Sequence, residues 1–184
     1  MNIWFTSDTH FGHAKISEYS NRPFKTVEEM DEALISNWNA LVKKGDTVYH
    51  LGDFSFARET EDVEAYIKRL YGQIHLIRGN HDHRQTRKAK FAEVLDYKEL
   101  NVNGQVIVLC HYPIASWNKM HHGSWMLHGH SHGSFPEDLN ARRIDVGVDP
   151  RGYKPISFDD VERIMRLYSF KPVDHHGRRE GMDE

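Results

Sequence analysis

The first half of the chain alternates short apolar runs with amphipathic stretches of helical period, and this alternation limits the folds open to it. The apolar runs have the form of buried strands and lie at residues 3–5, 47–51 and 74–77. Between them, one helix is expected to begin after the capping residue Thr26 and to end at Gly45. A second helix covers residues 63–70 and is closed by Gly72. This order predicts parallel strands joined by crossover helices.

The second half of the chain contains strands that follow one another more directly. β-rich runs at 94–102 and 105–110 flank Asn103-Gly104, a dipeptide typical of a type I′ hairpin turn. Shorter strands are predicted at 125–127 and 144–146, and a last helix opens at Ser157. We therefore expect a mixed α/β fold with a parallel half and an antiparallel half. One domain at 1–170 would be followed by a polar, flexible tail at 171–184.

Composition argues against several classes of protein. The chain has 184 residues, a formal net charge of -3 and a pI of about 6.5, so it lacks the broad basic surface that long nucleic acids require. No apolar run approaches the length of a membrane span. Cys110 is the only cysteine, which excludes an internal disulfide and a multi-thiolate metal site. A cytoplasmic location is the expectation that follows.

Polar side chains follow five of the predicted strands at their carboxyl ends, the edge at which α/β sheets bind ligands. These side chains are Asp8, His10, Asp53, Asn80, His81, Asp82, His111, His130 and His132. In an extended chain, residues two apart point to the same side. Asp8 is therefore expected to face one centre together with His10, and His130 together with His132.

Three glycines adjoin these side chains, and the side chains themselves indicate a metal site. Gly52, Gly79 and Gly129 allow the backbone to turn sharply and to approach the shared centre. Imidazole, carboxylate and amide ligands without sulfur suit manganese, iron or zinc better than calcium. The sequence therefore predicts transition-metal chemistry at the edge of the sheet.

This ordered set of residues resembles the signature of the calcineurin-like metallophosphoesterases. The blocks are Asp8-x-His10, Gly52-Asp53, Gly79-Asn80-His81-Asp82, His111 and Gly129-His130-x-His132. The resemblance implies a four-layer α/β/β/α sandwich of two mixed sheets, with a binuclear metal site at its edge. It implies two divalent cations as cofactors, with manganese favoured and iron, zinc, nickel or magnesium as alternatives.

The resemblance also implies a role for each residue. The first metal ion would be bound by Asp8, His10, Asp53 and His132, and the second by Asp53, Asn80, His111 and His130. Water held between two dications loses a proton readily and can attack a phosphate ester. His81 would protonate the leaving oxygen as the catalytic acid. Asp82 is expected to orient and stabilise the imidazole of His81.

The chain departs from larger relatives in ways that bear on substrate. It has no large cap insertion, and it lacks the additional acid and arginine that follow Gly52-Asp53 in the protein Ser/Thr phosphatases. Both differences favour the small bacterial and phage-type branch and a small phosphorylated substrate such as a nucleotide. A phosphodiester is favoured over a phosphomonoester, because no arginine clamp is assured. His13, Arg22 and Arg78 are candidate substrate contacts.

Some features leave alternatives open. A nuclease acting on longer DNA or RNA, or a non-catalytic binding scaffold, would use the same fold. Arg84, Arg87, Lys88 and Lys90 form a basic run that is either a solvated helix face or a steering surface for an anionic substrate. His50 and His75 lie inside predicted strands and are expected to be packed or solvent-facing rather than metal-bound.

Overall fold

The computed structural model describes residues 1–136 and 138–173. Most of the tail expected at 171–184 lies outside these residues. The described strands are β1 Ile3–Thr6, β2 Thr47–His50, β3 Gln73–Ile77, β4 Glu93–Leu95, β5 Lys98–Val102, β6 Gln105–Leu109, β7 Trp125–His128, β8 Arg143–Asp145 and β9 Ile156–Ser157. The described helices are α1 Ile16–Tyr19, α2 Val27–Leu41, α3 Thr60–Arg69, α4 Arg84–Lys88 and α5 Phe158–Met165, with a 3₁₀ turn at Met120–His122.

The strands form two mixed sheets, which confirms the predicted α/β fold. The first sheet has the order β4-β3-β2-β1-β9, and all its neighbours are parallel except β1 and β9. The second has the order β5-β6-β7-β8, with only the β5–β6 hairpin antiparallel. The expected antiparallel half is therefore wrong, because β6, β7 and β8 are joined by long connections that return each strand in the same direction.

A second correction concerns the β-rich run at 94–102. The structure divides it into β4, which joins the first sheet beside β3, and β5, which opens the second sheet. The break falls at Asp96 and Tyr97, both exposed. A continuous β pattern in the sequence thus hides the point at which the chain passes from one sheet to the other.

Alternation along the strands builds three layers of apolar core. Trp4, Val48 and Ile74 face α2 and α3 on the outer side of the first sheet. Phe5 and Tyr49 face the second sheet, and α5 packs into the same inter-sheet core. A third cluster, which contains Val108, Trp117, Met120 and Met126, covers the outer side of the second sheet. Trp117 is thus a packing residue, since only 7% of its surface is exposed.

The two ends of α2 differ in how well the local sequence predicts them. Thr26 caps α2 by accepting a hydrogen bond from the Glu29 backbone N–H at 3.1 Å, as predicted. The helix ends at Leu41 rather than at Gly45, because Val42 adopts an extended conformation and is fully buried in the core. Within the described ranges, no helix has the length and apolar character needed to cross a bilayer.

Candidate metal centre

The two sheets meet at the carboxyl ends of their parallel strands. In the first sheet Thr6 lies opposite His50 and His50 opposite Leu76, so the chain leaves β1, β2 and β3 at nearly the same level. Ser7, directly after β1, forms a parallel bridge to Gly147, which follows β8 of the second sheet. The loops that leave β1, β2, β3, β6 and β7 therefore converge at this shared edge.

Six of the seven predicted ligands lie in two compact groups at this edge. The groups are Asp8, His10 and His132, and Asp53, His111 and His130; within each, the candidate ligand atoms all lie within 4.8 Å of one another. Asn80, the seventh, joins the second group, since its Oδ1 lies 3.0 Å from His111 Nε2. The sequence thus identified every member of both groups.

Asp53 lies between the two groups. Its Oδ2 is 3.7 Å from His10 Nε2 and 3.5 Å from His111 Nε2. Its other oxygen, Oδ1, accepts a hydrogen bond from the His81 backbone N–H at 2.8 Å. One carboxylate oxygen therefore faces a histidine of each group, which is the arrangement that a bridging ligand requires.

Hydrogen bonds fix which nitrogen of two histidines is available. His111 donates Nδ1–H to the Leu51 carbonyl oxygen at 2.7 Å, and His132 Nδ1 lies 2.7 Å from Asp149 Oδ2. Both contacts leave Nε2 to face the site. The ring nitrogens of His10 are buried and have no hydrogen-bond partner in the described part of the chain. Buried imidazole nitrogens usually have a hydrogen-bond partner, so buried nitrogens without one are suited to bind a cation.

Burial shifts the pKa values of four of the candidate ligands. It raises the pKa of Asp8 well above its ordinary value and also raises the pKa of Asp53. It lowers the pKa of His111 to about 4 and the pKa of His10 well below its ordinary value. The two imidazoles are therefore neutral near pH 7, and the carboxylates gain from a nearby positive charge. Divalent cations bind neutral imidazoles and ionised carboxylates, and a bound cation would supply the positive charge that the buried carboxylates lack.

The ligand-bearing loops are held in left-handed backbone conformations. Asp8, His10, Asp53, His130 and His132 have φ values of 58°, 52°, 57°, 70° and 48°. Each such residue costs about 1–3 kcal/mol, and residues of this kind cluster at functional sites. Asp8 and His10 were expected to converge because residues two apart in an extended chain point to the same side. This explanation is wrong, because neither residue is extended. They converge because both residues turn out of the strand direction.

Two glycines allow the loops to approach one another. A β-carbon on Gly52, whose φ is +100°, would lie 2.5 Å from Gly79 N and 2.6 Å from His111 Nδ1. A β-carbon on Gly79 would collide with the Asp53 carboxylate and backbone N–H. The close approach predicted for these glycines is thus present. At Gly79 a side chain is excluded by collision with Asp53 and not by a positive φ.

Asp82 does not have the partner that the sequence suggested. Its carboxylate is buried and accepts hydrogen bonds from the backbone N–H groups of Asp53 at 2.8 Å, Phe54 at 2.9 Å and Gly79 at 2.8 Å. It therefore ties the loop after β2 to the loop after β3. The expected contact with the His81 imidazole is replaced by these three bonds, because backbone N–H groups in a buried loop need acceptors.

Arg22 and Asp149 form a buried pair behind the first group. Arg22 Nε lies 2.8 Å from Asp149 Oδ1, and its terminal nitrogens donate to the carbonyl oxygens of Asp8 and Thr9 at 2.7 and 3.1 Å. The Arg22 side chain is 0% exposed, so its guanidinium supports the loop and His132 rather than facing a substrate. Asp149 was missed from the sequence, and its position in Val146-Gly147-Val148-Asp149, directly after a predicted strand, was the available signal.

Comparison with known proteins agrees with this geometry. The sequence model of the calcineurin-like phosphoesterase superfamily domain matches residues 1–146. This chain belongs to that superfamily. It is 37% identical over 169 residues to an uncharacterized protein of Methanocaldococcus jannaschii, with 89% of this chain and 90% of the relative covered. The crystal structure of a protein of unknown function from Aquifex aeolicus superposes with a TM-score of 0.72 at 27% identity, covering 89% of this chain and 98% of the other.

Membership of this family confirms the coarser part of the sequence interpretation. Calcineurin-like phosphoesterases are metal-dependent enzymes that hydrolyse phosphate esters, and the two residue groups at the sheet edge could hold metal ions. The predicted resemblance and the two-sheet fold are therefore confirmed together.

Two clefts border the candidate metal centre of this calcineurin-like phosphoesterase. The aromatic cleft has a volume of about 720 Å³ and is lined by His10, His13, Tyr19, Phe56, His81 and His132, among others. His13 stacks on Phe56 with ring centroids 3.7 Å apart, and His81 lies 5.6 Å from the ring of His10. The basic cleft, of about 370 Å³, is lined by Arg78, Asn80, Arg84, Arg87, Asp96 and Tyr112, among others. His13 and Arg78 therefore line different clefts that border the centre.

Proposed function

We propose that this protein is a phosphodiesterase with two divalent cations, most suitably manganese, at the sheet edge. Asp8, His10, Asp53 and His132 would hold the first ion, and Asp53, Asn80, His111 and His130 the second. The observation that carries this proposal is the position of Asp53 Oδ2, 3.7 Å from His10 Nε2 and 3.5 Å from His111 Nε2. A carboxylate oxygen so close to two buried, neutral imidazoles is suited to bridge two cations.

The residues around the ligands have distinct tasks in this proposal. When bound, the two cations would supply an acidified water and neutralise charge on the phosphoryl oxygens. His81 lies in the aromatic cleft and would donate a proton to the leaving oxygen. Its backbone N–H is held by Asp53 Oδ1, so the catalytic acid and the bridging ligand keep a fixed relation. The alcohol that leaves would occupy the aromatic cleft.

The basic side chains nearest the ligands favour a diester. The Arg22 guanidinium donates hydrogen bonds to Asp149 and to two carbonyl oxygens. Arg78 Nε lies 2.7 Å from Asp96 Oδ1. A dianionic monoester gains most from an arginine free to form two parallel bonds to its oxygens. Arg22 is not free for such bonds and Arg78 is shared with Asp96, so these two arginines favour a monoanionic diester as the substrate class.

The proposal is tested by turnover and metal content together. Protein loaded with Mn²⁺ is assayed on bis-p-nitrophenyl phosphate and p-nitrophenyl phosphate, and the bound metal is counted by elemental analysis. We expect two ions per chain and preference for the diester. Asp53→Asn should abolish both occupancy and turnover, whereas the exposed Asp159→Asn should change neither. Two bound ions without turnover on either ester would favour a binding scaffold, and near-normal activity of Asp53→Asn would overturn the shared-ligand arrangement.

A leaving-group series tests the role of His81. His81→Ala should slow hydrolysis of diesters with poorly acidic alcohols far more than of p-nitrophenyl esters, because p-nitrophenolate leaves without a proton. General acid catalysis contributes about 10²–10⁴-fold, which sets the size of the expected difference. An equal loss on good and poor leaving groups would remove His81 from the proton-transfer role.

A further inference from the structure

The basic cleft borders the candidate metal centre, and His81 is not among the described residues that line it. Asn80, a member of the second ligand group, lines this cleft together with Arg84 and Arg87. Tyr112 also lines the cleft; it is 45% exposed, and its ring centroid lies 4.9 Å from that of His130. The cleft is therefore continuous with the position at which the scissile phosphate would be bound.

The charges in this cleft are unequally compensated. Arg78 is paired with Asp96 at 2.7 Å. Arg84 and Arg87 are exposed, and neither forms a salt bridge with any described residue. Two positive charges thus have no salt-bridge partner among the described residues, in a chain whose overall net charge is -3. An anion in this cleft would be attracted at close range.

The fold fixes both arginines on one face of a short helix. Arg84 and Arg87 are three residues apart in α4, so they lie on the same side of it. Thr86 is 1% exposed and Ala89 6%, so the other side of the segment is packed against the protein. Because the other side is packed, the arginine side of α4 faces the cleft that both side chains line.

We propose that the basic cleft binds a second phosphate of the substrate. This second phosphate lies on the part of the substrate that keeps the scissile phosphate after hydrolysis, called the retained group below. This inference rests on the proposed phosphodiesterase function and narrows its substrate to a nucleotide-like diester that carries a further phosphate. The leaving alcohol lies in the aromatic cleft beside His81, so the retained group extends past Asn80 and Tyr112 towards Arg84 and Arg87. The flat face of Tyr112 suits the nucleoside between the two phosphates.

The reaction balances without any further reagent. The oxygen of water forms a bond to the scissile phosphorus, and the bond from that phosphorus to the leaving oxygen breaks. An alcohol leaving group takes its proton from His81, which a proton of the attacking water replaces, whereas p-nitrophenolate leaves as the anion and that proton passes to solvent. The phosphate that was attacked becomes a monoester. The second phosphate keeps all its bonds and serves only for binding.

The test uses two substrates that differ only in the second phosphate. Thymidine 5′-(p-nitrophenyl phosphate) and its 3′-phosphorylated form have the same scissile bond and leaving group. We expect the wild-type Mn²⁺ enzyme to have a kcat/KM about 5- to 20-fold higher for the 3′-phosphorylated form, mainly through KM, since two exposed charge contacts are modest individually. The ratio should decrease as salt rises from about 0.05 to 0.5 M.

A double variant and a matched control locate the effect. In Arg84→Ala/Arg87→Ala the ratio of the two kcat/KM values should fall to about one. Arg163→Ala/Arg166→Ala removes two exposed charges from the C-terminal end of α5, at Arg163 and at the C-cap Arg166, and should leave the ratio as in the wild type. A wild-type ratio near one, or a ratio that survives in the Arg84 and Arg87 variant, would overturn the inference while the phosphodiesterase proposal stands. Absence of turnover on both substrates would instead overturn the phosphodiesterase proposal itself.

Discussion

Asp149→Asn is the substitution that most directly tests how the site is built, because Asp149 joins a metal-ligand candidate to a buried arginine. Its Oδ2 lies 2.7 Å from His132 Nδ1 and 2.9 Å from an Arg22 terminal nitrogen, while Oδ1 lies 2.8 Å from Arg22 Nε. Burial would raise the pKa of Asp149, but the bonds from His132 and Arg22 outweigh it and lower that pKa. Asp149 is therefore an anion that accepts three hydrogen bonds.

The size of the effect follows from those three bonds. Asparagine has one acceptor oxygen, so its NH₂ group must face a donor on either Arg22 or His132. Loss of a partner from a buried charge pair costs about 3–5 kcal/mol, and the retained oxygen recovers part of this, so we expect about 2–3 kcal/mol of lost stability. Loss of the bond that orients a metal-bound histidine weakens metal affinity about 10–100-fold. The first metal position should therefore lose occupancy before the second.

Two measurements separate these effects. Urea denaturation of the chelator-treated protein gives the change in the free energy of unfolding, and calorimetric titration with Mn²⁺ gives the affinity at each position. Asp159→Asn, in the exposed first turn of α5, is the control and should change stability by less than about 1 kcal/mol without a change in Mn²⁺ affinity. Unchanged Mn²⁺ affinity in Asp149→Asn would refute the role of Asp149 in orienting His132.

Two further predictions concern buried groups. Burial lowers the pKa of His50 to about 3 from 6.5, so the unfolded chain binds a proton that the folded chain excludes, and stability is lost as the pH falls from 6.5 towards 3. Between about pH 6.5 and pH 5 the free energy of unfolding, measured by urea denaturation, should fall by about 1.5 kcal/mol. His50→Gln should lack this loss, and the exposed His122→Gln should keep it. Equal slopes of unfolding free energy against pH in wild type and His50→Gln would contradict the assignment. Asp82→Asn should cost about 2–4 kcal/mol of stability, because one oxygen cannot accept from three backbone N–H groups, whereas the exposed Asp62→Asn should cost less than about 0.5 kcal/mol. If Asp82→Asn instead kept its stability and lowered turnover as His81→Ala does, Asp82 would act through His81 after all.

The structure explains why His50 behaves in this way. Thr9 donates its hydroxyl proton to the Phe54 carbonyl oxygen at 2.8 Å, so its oxygen accepts from His50 Nε2 at 3.0 Å. His50 Nδ1 is then left without a proton and, among the described residues, without a hydrogen-bond partner. A second proton at Nδ1 would be buried with no acceptor, which is costly. The sequence expectation that His50 is packed rather than metal-bound is consistent with this contact.

Sequence alone identified the candidate members of the site, because they are tied to a local pattern. Each candidate ligand follows an apolar strand, and parallel strands bring their carboxyl ends to one edge whatever the details of packing. The order of strands and helices in the first half, the Thr26 cap and the Asn103-Gly104 hairpin were likewise set by neighbours within a few residues. Interactions of this range can be read from one sequence.

Tertiary structure decided what depends on contacts between distant segments. The parallel direction of β6, β7 and β8 and the passage of the chain between β4 and β5 follow from how two sheets share one core. The task of Asp82 was misjudged because three backbone N–H groups from two loops compete for its carboxylate. Arg22 lies 127 residues from Asp149, and only folding brings the two together behind His132. Sequence thus named the candidate ligands, and long-range hydrogen bonding in a buried, low-dielectric edge decided which residues hold them in place.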